Sequence, residues 1–78
     1  MNKIRRKAID KLITRIEELY AELEAIKDEE QDVVDNTPES LWETERYQAA
    51  EEALENLESA LSSLEEVSEY LEEAKREQ

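Results

Sequence analysis

Cysteine, histidine and glycine are absent from this 78-residue sequence, and proline occurs once. Zinc sites, disulfides and nucleophiles activated by imidazole all need thiolate or imidazole groups, so these chemistries are excluded. A loop that cradles phosphate needs glycine, because a Cβ blocks the close approach of the backbone. We therefore predict that the protein is not an enzyme and that it binds no metal or cofactor.

Long apolar runs are also absent. Four of the first seven residues are basic, as at the start of a signal peptide, but Asp10, Lys11 and Arg15 interrupt any apolar stretch after them. The segment from Lys3 to Ile16 has the pattern of a basic amphipathic helix, which can bind a membrane surface or an acidic partner. A net charge of −13 opposes binding to anionic lipid. We expect a cytoplasmic protein with no membrane contact.

What the sequence does contain is a strong heptad pattern in its first half, with apolar residues at alternating steps of three and four. A third apolar row, at heptad position e, widens the stripe as a helix in a bundle requires. This pattern predicts a helix over residues 3 to 34, with Val33 buried. The a and d positions hold Ile9, Leu12, Ile16, Leu19, Leu23, Ile26, Glu30 and Val33, and the e positions include Ile13, Tyr20 and Val34.

The segment Asp35-Asn36-Thr37-Pro38 predicts the end of this helix, since proline disfavours helical geometry at the residue before it. Three caps for the next helix are open: Thr37 with Pro38 at the first helical position, a capping box of Ser40 with Glu43, and Thr44. Residues 38 to 43 can thus form a separate short helical turn.

A second heptad series predicts a helix that begins at residue 38 or 44 and ends near residue 76. The short connection makes the two helices antiparallel, so the expected fold is an all-α helical hairpin forming one domain over residues 1 to 78. We expect Tyr20, Tyr47 and Tyr70 to lie in the core with their hydroxyl groups reaching water. The second series comprises Tyr47, Ala50, Leu54, Leu57, Leu61, Leu64, Ser68 and Leu71, with Ala53, Ala60, Val67 and Ala74 at position g.

Both stripes are three rows wide, whereas one neighbouring helix covers a narrower seam. Pairing the helices is therefore expected to leave Ile13, Tyr20, Ala60 and Val67 partly exposed. A second hairpin would cover them, so we predict a homodimer that forms an antiparallel four-helix bundle.

Charge is distributed unevenly along the chain. Residues 1 to 15 carry six basic and one acidic side chain, residues 59 to 78 carry two basic and six acidic, and residues 16 to 58 carry a net charge of −14. The macrodipole disfavours cations at a helix N-terminus, so we expect these cations to pair with glutamates of the second helix. The cations are Lys3, Arg5, Arg6, Lys7, Lys11 and Arg15, and the expected partners are Glu65, Glu66, Glu69, Glu72 and Glu73.

Acidic residues crowd around the connection between the helices. The stretch from Asp28 to Glu39 places oxygens as a calcium-binding EF-hand does, but Val33 stands where that loop needs glycine. Trp42 is expected to pack on Val33 and Val34, with an exposed aromatic anchor as the alternative. The predicted partner-binding residues are Asp28, Glu29, Glu30, Asp32, Asp35, Glu39, Trp42, Glu43 and Glu45.

The motif Asp35-Asn36-Thr37-Pro38-Glu39-Ser40-Leu41, followed by Thr44-Glu45-Arg46 and a long Glu/Leu/Ala helix, resembles a group of short acidic helical proteins. These proteins are encoded in phages and integrated mobile elements of Gram-positive bacteria. The resemblance covers most of the chain, and the sequence departs from the group's pattern at Trp42 and Tyr47. It implies a mobile-element setting, in which small acidic proteins often block host nucleic-acid-binding proteins.

Two functions follow as hypotheses. In the first, the carboxylates mimic a nucleic-acid backbone and inhibit a host protein by occupying its cationic site. In the second, the chain is a self-assembling structural or adaptor module whose charge only provides solubility. In both, the protein itself does not bind nucleic acid, because its carboxylates repel phosphates.

Overall fold

The computed structural model describes residues 1–76. Helix α1 spans Lys3–Asp35, a single 3₁₀ turn spans Glu39–Leu41, and helix α2 spans Glu45–Arg76. The helices pack side by side in opposite directions and form a rod of 59 × 16 × 13 Å. The predicted all-α antiparallel hairpin is confirmed. Helix α1 ends one residue after the predicted residue 34, and α2 begins one residue after the later of its two predicted starts, residue 44, and not at residue 38.

Helix α1 begins and ends through side chains that bond to its free backbone groups. Asn2 Oδ1 accepts a hydrogen bond from the Arg5 N–H at 2.8 Å, which caps the N-terminus. At the other end, Thr37 Oγ1 donates to the Val33 carbonyl at 2.6 Å. Of the three caps left open for the next helix, Thr37 is not the one used, because its hydroxyl bonds to the end of α1.

The connection is built by backbone bonds around Pro38. The Leu41 N–H donates to the Pro38 carbonyl at 2.9 Å, which forms the 3₁₀ turn. Of the caps considered for α2, the structure uses Thr44, whose Oγ1 accepts from the Tyr47 N–H at 3.2 Å. Among the residues described, the Ser40 and Glu43 capping box does not form.

The core is a single seam between the helices. Its most buried residues are Ile13, Ala50, Leu54 and Leu61, each 6–8% exposed. Helix α1 contributes positions a and e to this seam, which include Ile9, Ile13, Ile16, Tyr20, Leu23 and Val34. The expectation that Ile13 lies on a partly exposed flank is therefore wrong.

The d row of α1 lies outside the seam. Its members Leu12, Leu19, Ile26 and Val33 are 43–54% exposed, so the prediction of a buried Val33 is also wrong. Helix α2 covers only two of the three apolar rows of α1. The e row is one of these two, because it includes Tyr20, whose hydroxyl bonds to Glu65 of α2. Tyr70, expected in the core, is 73% exposed on the outer side of α2.

Candidate functional site: an acidic turn half and an apolar face

The acidic residues near the connection lie on the surface. Asp28, Glu29, Asp32 and Asp35 are exposed on the last turns of α1, and Glu30 is half-buried. No basic residue stands in the last turn of α1, so Asp32 and Asp35 in that turn face the negative end of the helix dipole. The same surface continues through the exposed residues Glu39, Glu43 and Glu45.

Few of these carboxylates have a partner within residues 1–76. Asp28 Oδ1 lies 3.6 Å from Lys27 Nζ, and Asp35 Oδ1 accepts a hydrogen bond from Gln31 Nε2 at 3.0 Å. In the described part of the chain, no group of three or more carboxylates is arranged to hold a metal ion. The surface is thus a set of mostly unpaired negative charges.

The charge density of this half is close to that of a nucleic acid. Residues 16 to 58 carry a net charge of −14, and at 1.5 Å per residue they occupy roughly 30–35 Å of the rod. That is one net negative charge per roughly 2–2.5 Å, whereas duplex DNA carries one per about 1.7 Å of its axis. We call residues 16 to 58 the acidic turn half.

Trp42 is held beside the acidic residues by two contacts. Its ring stacks on Tyr47, with centroids 6.0 Å apart and an interplanar angle of 14°. Its Nε1 donates to the Thr37 carbonyl at 3.1 Å. The structure shows Tyr47 as a stacking partner of Trp42, the expected packing on Val33 and Val34 stays a prediction, and the ring remains 46% exposed.

The basic residues of α1 are not paired as expected. Between the helices, Lys75 Nζ donates to Asp10 Oδ1. In this ion pair the basic residue lies on α2 and the acidic residue on α1, which is the reverse of the predicted pairs. This contact raises the pKa of Lys75 above its ordinary value of 10.5. Within residues 1–76, none of the five expected glutamates bonds to a basic residue of α1. The basic side chains of α1 without a hydrogen-bond or ion-pair partner in the described chain are Lys3, Arg5, Arg6, Lys7, Lys11 and Arg15, and Nε and Nη2 of Arg6 are buried.

The five glutamates themselves have other neighbours or face solvent. Glu72 lies 3.4 Å from Lys75 Nζ, and Glu73 accepts from Arg76 at 3.2 Å, both within α2. Glu65 accepts from the Tyr20 hydroxyl. The expectation of a row of ion pairs joining the two helices is therefore wrong.

One side of the hairpin is an open apolar groove of about 570 Å³. Its wall on α1 includes Leu19 and Ile26 of the d row, and its wall on α2 includes Val67, which is 45% exposed. We call this side, including the whole d row, the apolar face. The groove is lined by Leu19, Glu22, Leu23 and Ile26 from α1 and by Ala60, Ser63, Leu64 and Val67 from α2.

The opposite side of the hairpin carries a polar contact between the helices. The Tyr20 hydroxyl donates to Glu65 Oε1 at 2.8 Å. This hydrogen bond to a carboxylate is the main reason why the pKa of Tyr20 lies above its ordinary value of 10.0. The hairpin therefore has one side bridged by a polar bond and one side that is apolar and open.

Comparisons with known proteins assign this chain to no family. No family model matches the chain, and neither the curated proteins nor the solved structures give a match. Neither helix of the described chain is both long enough and apolar enough to span a membrane. The functional argument therefore depends on the two surfaces themselves.

Most of the predicted partner-binding residues lie together on one end of the rod, as their sequence positions require. The apolar face was not predicted as it stands, because the d row was placed in the seam. A signal for it does exist in the sequence: Leu12, Leu19, Ile26 and Val33 recur every seven residues without interruption, whereas the a row contains Glu30.

Proposed function

We propose that this protein is a non-enzymatic binding protein whose acidic turn half mimics a nucleic-acid backbone and inhibits another protein by occupying its cationic site. The observation that carries this proposal is the charge density of about one net negative charge per 2–2.5 Å of rod, close to that of duplex DNA. A cationic groove shaped for phosphates would attract such a surface at long range.

The placement of the acidic side chains supports the proposal because it does not serve helix stability. Carboxylates at the negative end of a helix dipole cost about 0.3–1 kcal/mol each. Like charges one helical turn apart cost a further few tenths of a kcal/mol per pair. A sequence under selection for stability alone would not collect Asp28, Asp32 and Asp35 at this helix end.

Trp42 adds a second feature of a binding surface. Tryptophan is enriched at interface hot spots, where a rigid aromatic ring fills a pocket of the partner. Trp42 is half-exposed, yet its contacts to Tyr47 and Thr37 hold its ring in one orientation. Little conformational entropy would be lost when it is buried against a partner.

We further propose that the protein acts in the cytoplasm of a cell carrying a phage or mobile element, and that it is a homodimer. The exposed d row supports the homodimer. The same row supports the second candidate function, a self-assembling structural or adaptor bundle, in which the acidic residues provide only solubility.

The test is an affinity column carrying the wild-type chain, with a matched column carrying the variant D28N/E29Q/E30Q/D32N. The proposal predicts proteins from a host lysate that bind the wild-type column, are released by added duplex DNA and by high salt, and do not bind the variant. Proteins that bind both columns and resist duplex DNA would contradict mimicry and support the adaptor function. A control variant, E66Q/E69Q, removes two exposed glutamates outside the acidic turn half and is expected to bind as the wild type does.

A further inference from the structure

We propose that a second copy of this chain covers the apolar face in the opposite orientation, so that α1 packs antiparallel against α1 of the partner. The inference rests on the homodimer proposed above, and it adds the face, the orientation and the register. The two-fold axis passes through the middle of the groove between Leu19 and Ile26.

The exposed area is the first reason to place a second chain here. The chain exposes 6248 Å², whereas a compact monomer of 9.2 kDa exposes about 4,900 Å². The difference of about 1,300 Å² exceeds the roughly 800 Å² that each partner buries in a standard interface. The exposed surface includes the four large apolar side chains of the d row, each 43–54% exposed.

The groove is complementary to itself in the opposite orientation. Its lining residues on α1 are centred midway between Leu19 and Ile26, and those on α2 midway between Ala60 and Val67. A two-fold axis through that centre sets Leu19 opposite the partner's Ile26, and Leu12 opposite the partner's Val33. Large side chains of the two d rows therefore meet along the whole length of the interface, as helices in an antiparallel bundle do.

Charge decides between the two possible orientations. If both turns lay at the same end, two segments of net charge −14 would lie side by side. In the opposite orientation, the basic segment 1–15 of each chain lies beside the acidic turn half of the other. Arg15, exposed and without a partner in the described chain, then comes beside the partner's Glu29.

The arrangement has an unfavourable contact at its centre. Glu22 lines the middle of the groove, so the two copies of Glu22 lie near the axis and repel each other. The variant E22Q is therefore expected to bind itself more tightly than the wild type, as is the wild type at higher salt.

Disulfide mapping tests the orientation directly, because the natural chain has no cysteine. In the double variant L12C/V33C the two thiols of one chain are about 31 Å apart along α1, so any disulfide must join two chains. We expect oxidation to give disulfides between positions 12 and 33, and the variant L19C/I26C to give disulfides between positions 19 and 26. Disulfides joining like positions, or a dimer that forms no disulfide, would overturn the proposal.

Sedimentation equilibrium separates the failure of this proposal from that of the dimer. A folded species of 9.2 kDa would contradict the homodimer itself, whereas a dimer with the wrong disulfides would contradict only the orientation. The variant L19Q/I26Q is expected to raise the dimer dissociation constant at least about 100-fold. The matched control I4Q/Y70Q replaces two residues that are 81% and 73% exposed outside the groove, and it is expected to leave that constant unchanged.

Discussion

Removing charge from the end of α1 should stabilise the protein, and the structure allows the effect to be calculated. The variant D28N/E29Q/E30Q/D32N keeps the size and helix propensity of each side chain while removing four negative charges. Four like-charge pairs one helical turn apart are then lost, each worth about 0.2–0.5 kcal/mol. These pairs are Glu24 with Asp28, Asp28 with Asp32, Glu29 with Asp32, and Asp32 with Asp35.

Two other terms enter the balance. Asp32 lies in the last turn of α1, where neutralisation relieves the dipole by about 0.3–1 kcal/mol. Against this, Lys27 loses its contact with Asp28 and its attraction to Glu30, together worth about 0.2–1 kcal/mol. The net gain is about 1 kcal/mol, which corresponds to a rise in Tm of about 5 °C for a chain of this size.

Far-UV circular dichroism during heating measures this gain. The rise in Tm should be largest at low salt and should shrink at about 1 M salt, where the Debye length is about 3 Å. A Tm that is unchanged or lower at low salt would refute the reasoning, because it would mean that the acidic cluster does not strain the helix end.

Three further predictions concern the seam, the polar contacts and nucleic acid. Leu61→Ala should destabilise the hairpin by about 2 kcal/mol in urea unfolding, the low end of the usual range, because the edges of a two-helix seam can close around the missing atoms. The pKa values of Tyr20 and Tyr47 lie above the ordinary 10.0, and that of Lys75 lies above the ordinary 10.5. The stability that these three groups contribute is therefore complete below about pH 10 and is lost as the pH rises through their folded-state pKa values. The variant Tyr20→Phe should make this alkaline loss of Tm smaller in thermal melts. A gel-shift assay at physiological salt should show no binding to duplex DNA, and low-micromolar binding would mean that residues 1 to 15 form a phosphate-binding surface.

The helices and their connection could be predicted because their signals are local. Heptad spacing identifies which side chains share a face of a helix. The residues around Pro38 end α1 through their own backbone preferences, without contacts from distant parts of the chain. Thr44 was one of three possible caps, and only the backbone path through the 3₁₀ turn selects it. The extent of the helices was therefore fixed by nearby residues, whereas the choice of cap was not.

The rotation of α1 about its own axis could not be predicted, because it depends on contacts between distant parts of the chain. Three apolar rows compete for a seam that holds two, and periodicity does not rank them. Tyr20 bonds to Glu65 and Asp10 pairs with Lys75, each pair more than 40 residues apart in sequence. These contacts turn the e row inward and leave the d row exposed.

The acidic turn half is proposed to bind a cationic site, and this role can be tested by competition. With a protein captured on the wild-type column and a labelled duplex bound to it, displacement by the wild-type chain is measured across a range of salt concentrations. The proposal predicts that the affinity of the chain falls steeply with the logarithm of salt, in parallel with that of the duplex itself. Displacement that is independent of salt, or a complex that holds chain and duplex together, would contradict mimicry.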